Sequence, residues 1–203
     1  MSIISSARAL FRPIVFILIV LFLLLTYNHG SSRDTQSNMS EETKNNALSK
    51  LSIRIRQSST SPPTVTFSVT NDHTAPLTIL RWATPLDPLA LQLGVLSVTP
   101  DGADAPLGID TIALKRVMPP RDEDMVTLQP GDTTENEVIL RETVLPFDRL
   151  GKTPRVAAKG TWQTVWPTTA DKLSKDTLMK LQFGDGVLSG DFETEAIKVP
   201  LRN

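Results

Sequence analysis

Two histidines, His29 and His73, are the only imidazoles in the chain, and neither stands in a motif that uses one. A serine hydrolase needs a histidine base, a carboxylate that orients it and a nucleophile on a sharp turn, and no G-x-S-x-G segment occurs. His73 falls in Asn71-Asp72-His73, a run of turn formers, and is predicted to be a solvent-facing turn residue. The chain has no Cys, so thiolate nucleophiles, thiolate zinc sites and disulfides are excluded.

Acidic side chains gather in three loops: Asp122-Glu123-Asp124, Asp101 with Asp104, and Asp185 with Asp191. Calcium takes oxygen ligands at D-x-D-x-D-G spacing, which none of these loops has, so they read as solvated turns. Paired carboxylates for glycoside hydrolysis gain no support, because 22 acidic residues always allow some pair at a workable separation. No catalytic, cofactor or metal site is expected.

Three other features carry possible chemistry. Trp162 and Trp166 are an even number of positions apart and would share one strand face, where two indoles could stack on a sugar ring. The competing use for both is core packing, with Trp82 covering the sandwich end alongside Trp166. Asn38-Met39-Ser40 is an N-glycosylation sequon. Lys115-Arg116 is a dibasic pair, read as surface charge with proteolytic processing as a minor possibility.

The segment that would place Asn38 in the glycosylating compartment lies just before it. Residues 14–25, IVFILIVLFLLL, are uninterrupted apolar and follow Arg8 and Arg12 with no acidic residue ahead of them. That is the pattern of an export signal or a membrane anchor. Extended to Tyr27 the run spans about 20 Å, short of a hydrocarbon core of about 30 Å. Bulky residues up to the boundary, Tyr27, and a snorkelling Arg12 nevertheless favour retention as a signal anchor. Cleavage near Ser32, at the end of Gly30-Ser31-Ser32, is the alternative. The expected organisation is a cytosolic segment at residues 1–13, a membrane-spanning hydrophobic helix at 14–27, a Ser/Asn-rich stalk at 28–49 and a domain at 50–203 on the lumenal or extracellular side.

The domain is predicted from period-two patterning. Leu51, Ile53 and Ile55 alternate with Ser52, Arg54 and Arg56; Val65, Phe67 and Val69 alternate with threonine and serine. Further strands are predicted at residues 77–82, 95–98, 112–114, 125–128, 134–140, 155–165 and 192–201, with turns at Pro100-Asp101-Gly102 and Gln129-Pro130-Gly131. One short helix is predicted within residues 171–182, capped by Asp171. Many short strands without βαβ spacing point to an all-β antiparallel sandwich of immunoglobulin-like topology; barrels and jelly rolls share these cues. With 21 Lys and Arg against 22 Asp and Glu, the chain carries no electrostatic footprint for nucleic acid.

Residues 71–87, NDHTAPLTILRWATPLD, resemble the amino-terminal β-sandwich of fungal deuterolysin-type metallopeptidase precursors and of related stand-alone fungal secreted proteins. The resemblance extends through Leu51-Ser52-Ile53, residues 115–120 (KRVMPP), residues 124–131 (DMVTLQPG), Lys159-Gly160-Thr161-Trp162 and Val165-Trp166. In those precursors the region is a pro-segment, and the chemistry belongs to a following zinc domain with HExxH. The present sequence has no HExxH, so the resemblance implies a fold that binds or shields a protein, and no peptidase activity. The expected function is a non-enzymatic module, held in the membrane through residues 14–27 or secreted, that engages a protein or glycan partner. A small-molecule hydrolase or accessory factor, and a chaperone or inhibitor of a secreted metallopeptidase, are the alternatives.

Overall fold

The computed structural model describes residues 47–201. The hydrophobic segment at 14–27, the stalk up to residue 46 and the Asn38 sequon lie outside the described residues; residues 47–49, expected as the end of the stalk, are instead helical, with Ala47 buried in the main core. Among the described residues nine strands make two antiparallel sheets: β1 (Leu51–Thr60), β2 (Pro63–Asn71), β3 (Leu77–Leu80), β4 (Leu96–Thr99), β5 (Met125–Leu128), β6 (Thr133–Ile139), β7 (Arg155–Trp166), β8 (Leu188–Glu193) and β9 (Ile197–Lys198). The first sheet runs β1-β2-β6. In the second, β7 is the spine: one edge pairs with β4 and β3, the other with β9 and β8, and β5 adds to β3.

Alternation explains the first sheet. β2 is central and buries Val65, Phe67 and Val69 completely, while the edge strand β1 turns Arg54 and Arg56 to solvent. These side chains meet Leu77, Ile79, Val156, Trp162 and Val165 of the second sheet in one core. The β5 to β6 connection carries the chain between the sheets through Gln129-Pro130-Gly131-Asp132, where the Asp132 N–H donates to the Gln129 carbonyl at 3.0 Å. Gly131 sits at φ +84°, as a type II turn requires after proline. Asn71, fully buried at the end of β2, ties the sheets together: its amide donates to the carbonyls of Leu128 at 2.9 Å and Ala75 at 3.0 Å.

Four further expectations are corrected. Residues 112–114 form no strand, because Ile112 and Leu114 are 47% and 43% exposed and have no ladder partner. They belong to a strap, residues 100–121, that carries neither helix nor strand. The third strand stops at Leu80, before Trp82. Residues 192–201 are not one strand, since the chain breaks between β8 and β9. The helix is α1 (Lys175–Lys180), capped by Ser174, whose hydroxyl accepts the Thr177 N–H at 3.1 Å, and not by Asp171. Short 3₁₀ turns flank it at Ala170–Lys172 and Leu181–Phe183.

This helical segment covers the outer face of the second sheet. Leu173, Leu178 and Leu181 pack on Leu80, Trp82, Trp166 and Val187, forming a second, smaller apolar cluster. Its existence explains a parity error in the sequence reading. A register shift between Trp162 and Val165 on β7 inserts an extra residue, so Val165 rejoins Trp162 in the main core while Trp166 points to the opposite face.

Candidate functional site

Both indoles weighed as a sugar-stacking pair are inside: Trp162 and Trp166 are each 2% exposed. Trp162 stacks obliquely on Phe192, with ring centres 4.9 Å apart. Neither ring has a face to offer a sugar, and the bulge places them in different clusters. His73 occupies the turn after β2, where its N–H donates to Asn71 Oδ1 at 3.0 Å and its Nδ1 accepts the Ala75 N–H at 3.1 Å.

The acidic loops take separate roles. Asp191 accepts the Thr161 hydroxyl at 2.7 Å on the outside of β8. Asp124 enters a network described below. Among the described residues no group of three or more His, Asp or Glu side chains converges as metal ligands would.

Chemistry concentrates instead where the turn after β3 meets the strap. Residues 81–91 fold back over the core through the buried side chains of Leu86, Ala90 and Leu91. Asp87, fully buried, organises this turn. Its Oδ2 accepts the Ala83 N–H at 2.8 Å, its Oδ1 accepts the Leu89 N–H at 2.9 Å, and its carboxylate pairs with the Arg116 guanidinium. Ala83 sits at φ +52°, a left-handed conformation unfavourable to alanine, so the bond to Asp87 holds a strained residue in place. Asn136 of β6 fixes the same turn from below, donating to the carbonyls of Pro85 at 2.9 Å and Asp87 at 3.1 Å.

Arg116 reaches Asp87 from the strap and lies over Trp82, with its guanidinium carbon 5.6 Å from the ring centre. The Trp82 indole N–H donates to Asp124 Oδ1 at 2.9 Å, and Asp124 Oδ2 accepts the Arg121 N–H at 2.9 Å. A chain of contacts therefore runs Asp87, Arg116, Trp82, Asp124, Arg121, and it locks the strap to the turn. Around it opens a shallow cleft of about 340 Å³, with Trp82, Pro88 and Leu89 as its apolar surface and Arg81, Arg116 and Arg121 as its cations. Glu123 stands on its rim beside Arg121.

Burial pushes the Asp124 carboxyl upward, but the Trp82 indole N–H, the Arg121 N–H and the charges of Arg121 and Arg116 outweigh it and hold the group below the usual carboxylate range. A general acid at neutral pH needs the opposite shift, and Asp87 has both oxygens engaged, so neither carboxylate suits proton transfer. The depressed value gives a sign for pH dependence. Stabilisation from Asp124 is present above the ordinary carboxylate value and is lost as pH falls through the lower folded-state value. Denaturation curves from about pH 6 down to about pH 2 are expected to show a shallower acid loss in Asp124→Asn than in the native chain. Identical acid slopes in the two proteins would refute the assignment.

The strap that supplies Arg116 and Arg121 to the cleft also carries exposed apolar residues. Leu107 donates its N–H to Val98 at 2.8 Å, Ile112 donates to Gln92 at 3.0 Å, and Arg116 is clamped, yet Ile112, Leu114, Val117 and Met118 stay 39% to 66% exposed. The sequence reading missed this constellation because Asp87 and Arg116 are 29 positions apart and carry no local pattern. The one available signal was an aspartate between Pro85 and Pro88, where a carboxylate serves to cap backbone N–H groups.

A family model described as an immunoglobulin-like domain matches residues 50–201. The chain belongs to the immunoglobulin-like domain family. The chain is also 32% identical over 133 residues to a protein of Arthroderma benhamiae described as an uncharacterized secreted protein. That alignment covers 65% of this chain and 66% of the relative, just under two thirds of the relative's length. In this immunoglobulin-like chain the sandwich supplies the scaffold, and the strap and cleft are the part that a filled core does not explain.

Proposed function

We propose that the chain is a non-enzymatic immunoglobulin-like module, exported by its amino-terminal apolar segment, that engages a protein partner through the strap beside the arginine cleft. The observation that carries this reading is the strap itself. Loops longer than about 12–15 residues are uncommon in compact domains and are usually either functional or disordered linkers, and this one is pinned in place by an ion pair. This one holds Ile112, Leu114, Val117 and Met118 out in solvent while a buried ion pair fixes its position. Apolar side chains on a rigid support, next to arginine and tryptophan, have the composition of an interface centre.

Export is supported by residues 14–27, by the Asn38 sequon and by the secreted description of the Arthroderma relative. We infer anchorage through residues 14–27, with the domain on the lumenal or extracellular side. The relative's description favours a second reading, release into the medium after cleavage near Ser32. The resemblance to peptidase pro-segments adds a specific form of partnership, shielding of a secreted metallopeptidase.

Binding is tested with the immobilised full chain against secreted proteins of the same cell, including a deuterolysin-type peptidase. Saturable binding is expected, weakened at least about tenfold in a Leu114→Glu/Val117→Glu variant of unchanged melting temperature. Phe183→Ser, which removes a side chain 84% exposed on a different surface segment, is expected to bind normally. Equal binding by the strap variant, or no saturable binding, would overturn the reading.

A further inference from the structure

The three arginines of the cleft are not equivalent. Arg116 is neutralised by the buried Asp87, and Arg121 faces two carboxylates, Glu123 and Asp124. Arg81 makes no ion pair among the described residues. Its sole side-chain bond is a long one, 3.5 Å from Nη1 to the Glu123 carbonyl, and its Nε is sealed from water without an acceptor. An ionised guanidinium with one N–H desolvated and unsatisfied gains more than a free one from an anion at its remaining nitrogens.

The surroundings say what kind of anion. The cleft offers Trp82, Pro88 and Leu89 as an apolar surface beside Arg81. A bare inorganic ion would leave that apolar surface unused. We infer that the cleft is the subsite for a partner's acidic side chain, a glutamate or aspartate flanked by apolar residues, with the carboxylate on Arg81 and its neighbours against Trp82, Pro88 and Leu89. The inference rests on the protein-binding reading above and names the chemistry of the segment bound.

One group within the chain competes for the subsite. Glu123 lines the cleft, and its carboxylate, 67% exposed, is held by the equally exposed Arg121. An arriving carboxylate meets repulsion from Glu123, so removal of that charge should tighten binding whereas removal of the Arg81 charge should weaken it. Opposite signs from two neighbouring substitutions are hard to obtain from a general loss of structure.

The test uses the isotopically labelled full chain and three probes: a blocked AELV tetrapeptide, its AQLV counterpart and sodium acetate. The AELV peptide is expected to shift the Trp82 indole N–H and Arg81 Nε–H resonances and to bind about tenfold more tightly than AQLV. Arg81→Gln should abolish the difference, Arg81→Lys should restore part of it, and Glu123→Gln should strengthen AELV binding several-fold. Should Arg81→Gln fail to fold, Glu123→Gln, on the surface, still decides the matter. Equal binding of AELV and AQLV, acetate as effective as AELV, or no gain in Glu123→Gln would each overturn the inference. If the peptide preference fails while the Leu114→Glu/Val117→Glu variant still loses its partner, the acidic subsite alone falls.

Discussion

Asp87→Ala is expected to destabilise the domain by about 3–5 kcal/mol, because a buried charge pair broken on one side leaves the other charge uncompensated. Two further losses add to this. The N–H groups of Ala83 and Leu89 lose their acceptor, each costing about 1–3 kcal/mol if left unsatisfied. Ala83 also loses the bond that holds its left-handed backbone. The terms are not additive, and Arg116, with its side chain 24% exposed, can recover some hydration, so the lower half of the range is the firmer expectation. Chemical denaturation of the native chain, Asp87→Ala, Arg116→Met and the double variant gives the coupling directly. The double variant should be less destabilised than the sum of the singles. A loss below about 1 kcal/mol in Asp87→Ala, or strict additivity, would show that the pair does not hold the strap.

Trp162→Ala should cost a similar amount, about 3–5 kcal/mol, by opening a cavity between the sheets where the indole now meets Phe192. The neighbouring Gly160 sharpens this expectation. A Cβ there would stand 2.9 Å from Phe192 Cζ, so the ring already fills the space over β7 and cannot easily slide to close the void. Trp166 offers an internal contrast. Its Nε1 is buried with no hydrogen-bond partner, so Trp166→Phe removes an unsatisfied donor while keeping an aromatic ring in the small outer cluster. That substitution is expected to change stability by less than about 1 kcal/mol. A large loss from Trp166→Phe beside a small one from Trp162→Ala would mean that the two clusters have been assigned the wrong weights.

Period-two patterning made β1 and β2 legible, since apolar residues alternate with polar ones along each, although in the central strand β2 the intervening Thr64 and Thr66 are buried as well. Patterning failed where neighbours, not alternation, decide the outcome. Ile112, Ala113 and Leu114 look like a strand because apolar residues cluster there, yet no partner strand lies beside them and the strap leaves them exposed. The indoles at 162 and 166 could not be placed by counting, because a bulge reverses the parity between them. Ser174 displaced Asp171 as helix cap because Asp171 lies inside a separate 3₁₀ turn, Ala170–Lys172, that ends before the chain reaches α1.

The candidate site was less legible still. Lys115-Arg116 read as a surface charge pair, and Lys115 is indeed exposed. Arg116 instead reaches across the turn to a fully buried aspartate, which only the packing of residues 81–91 brings within range. The acidic run at 122–124 read as solvated, whereas the folded chain sends its last member to the Trp82 indole. Long-range ion pairs leave no trace in spacing, so charged residues without a periodic setting were the ones misjudged.

Everything proposed for the strap presupposes a domain that works outside the cytoplasm, and one measurement addresses that claim most directly. A carboxy-terminally tagged full-length chain is fractionated, washed with carbonate, treated with glycosidase and weighed intact. Export with anchorage should leave it in the membrane pellet with residues 1–27 retained and with a glycan that disappears in Asn38→Gln. Recovery from the medium with an amino terminus near Arg33 would replace anchorage by secretion and keep the export claim. An unglycosylated chain, soluble in the cytosol and protected from added protease only by the plasma membrane, would contradict it.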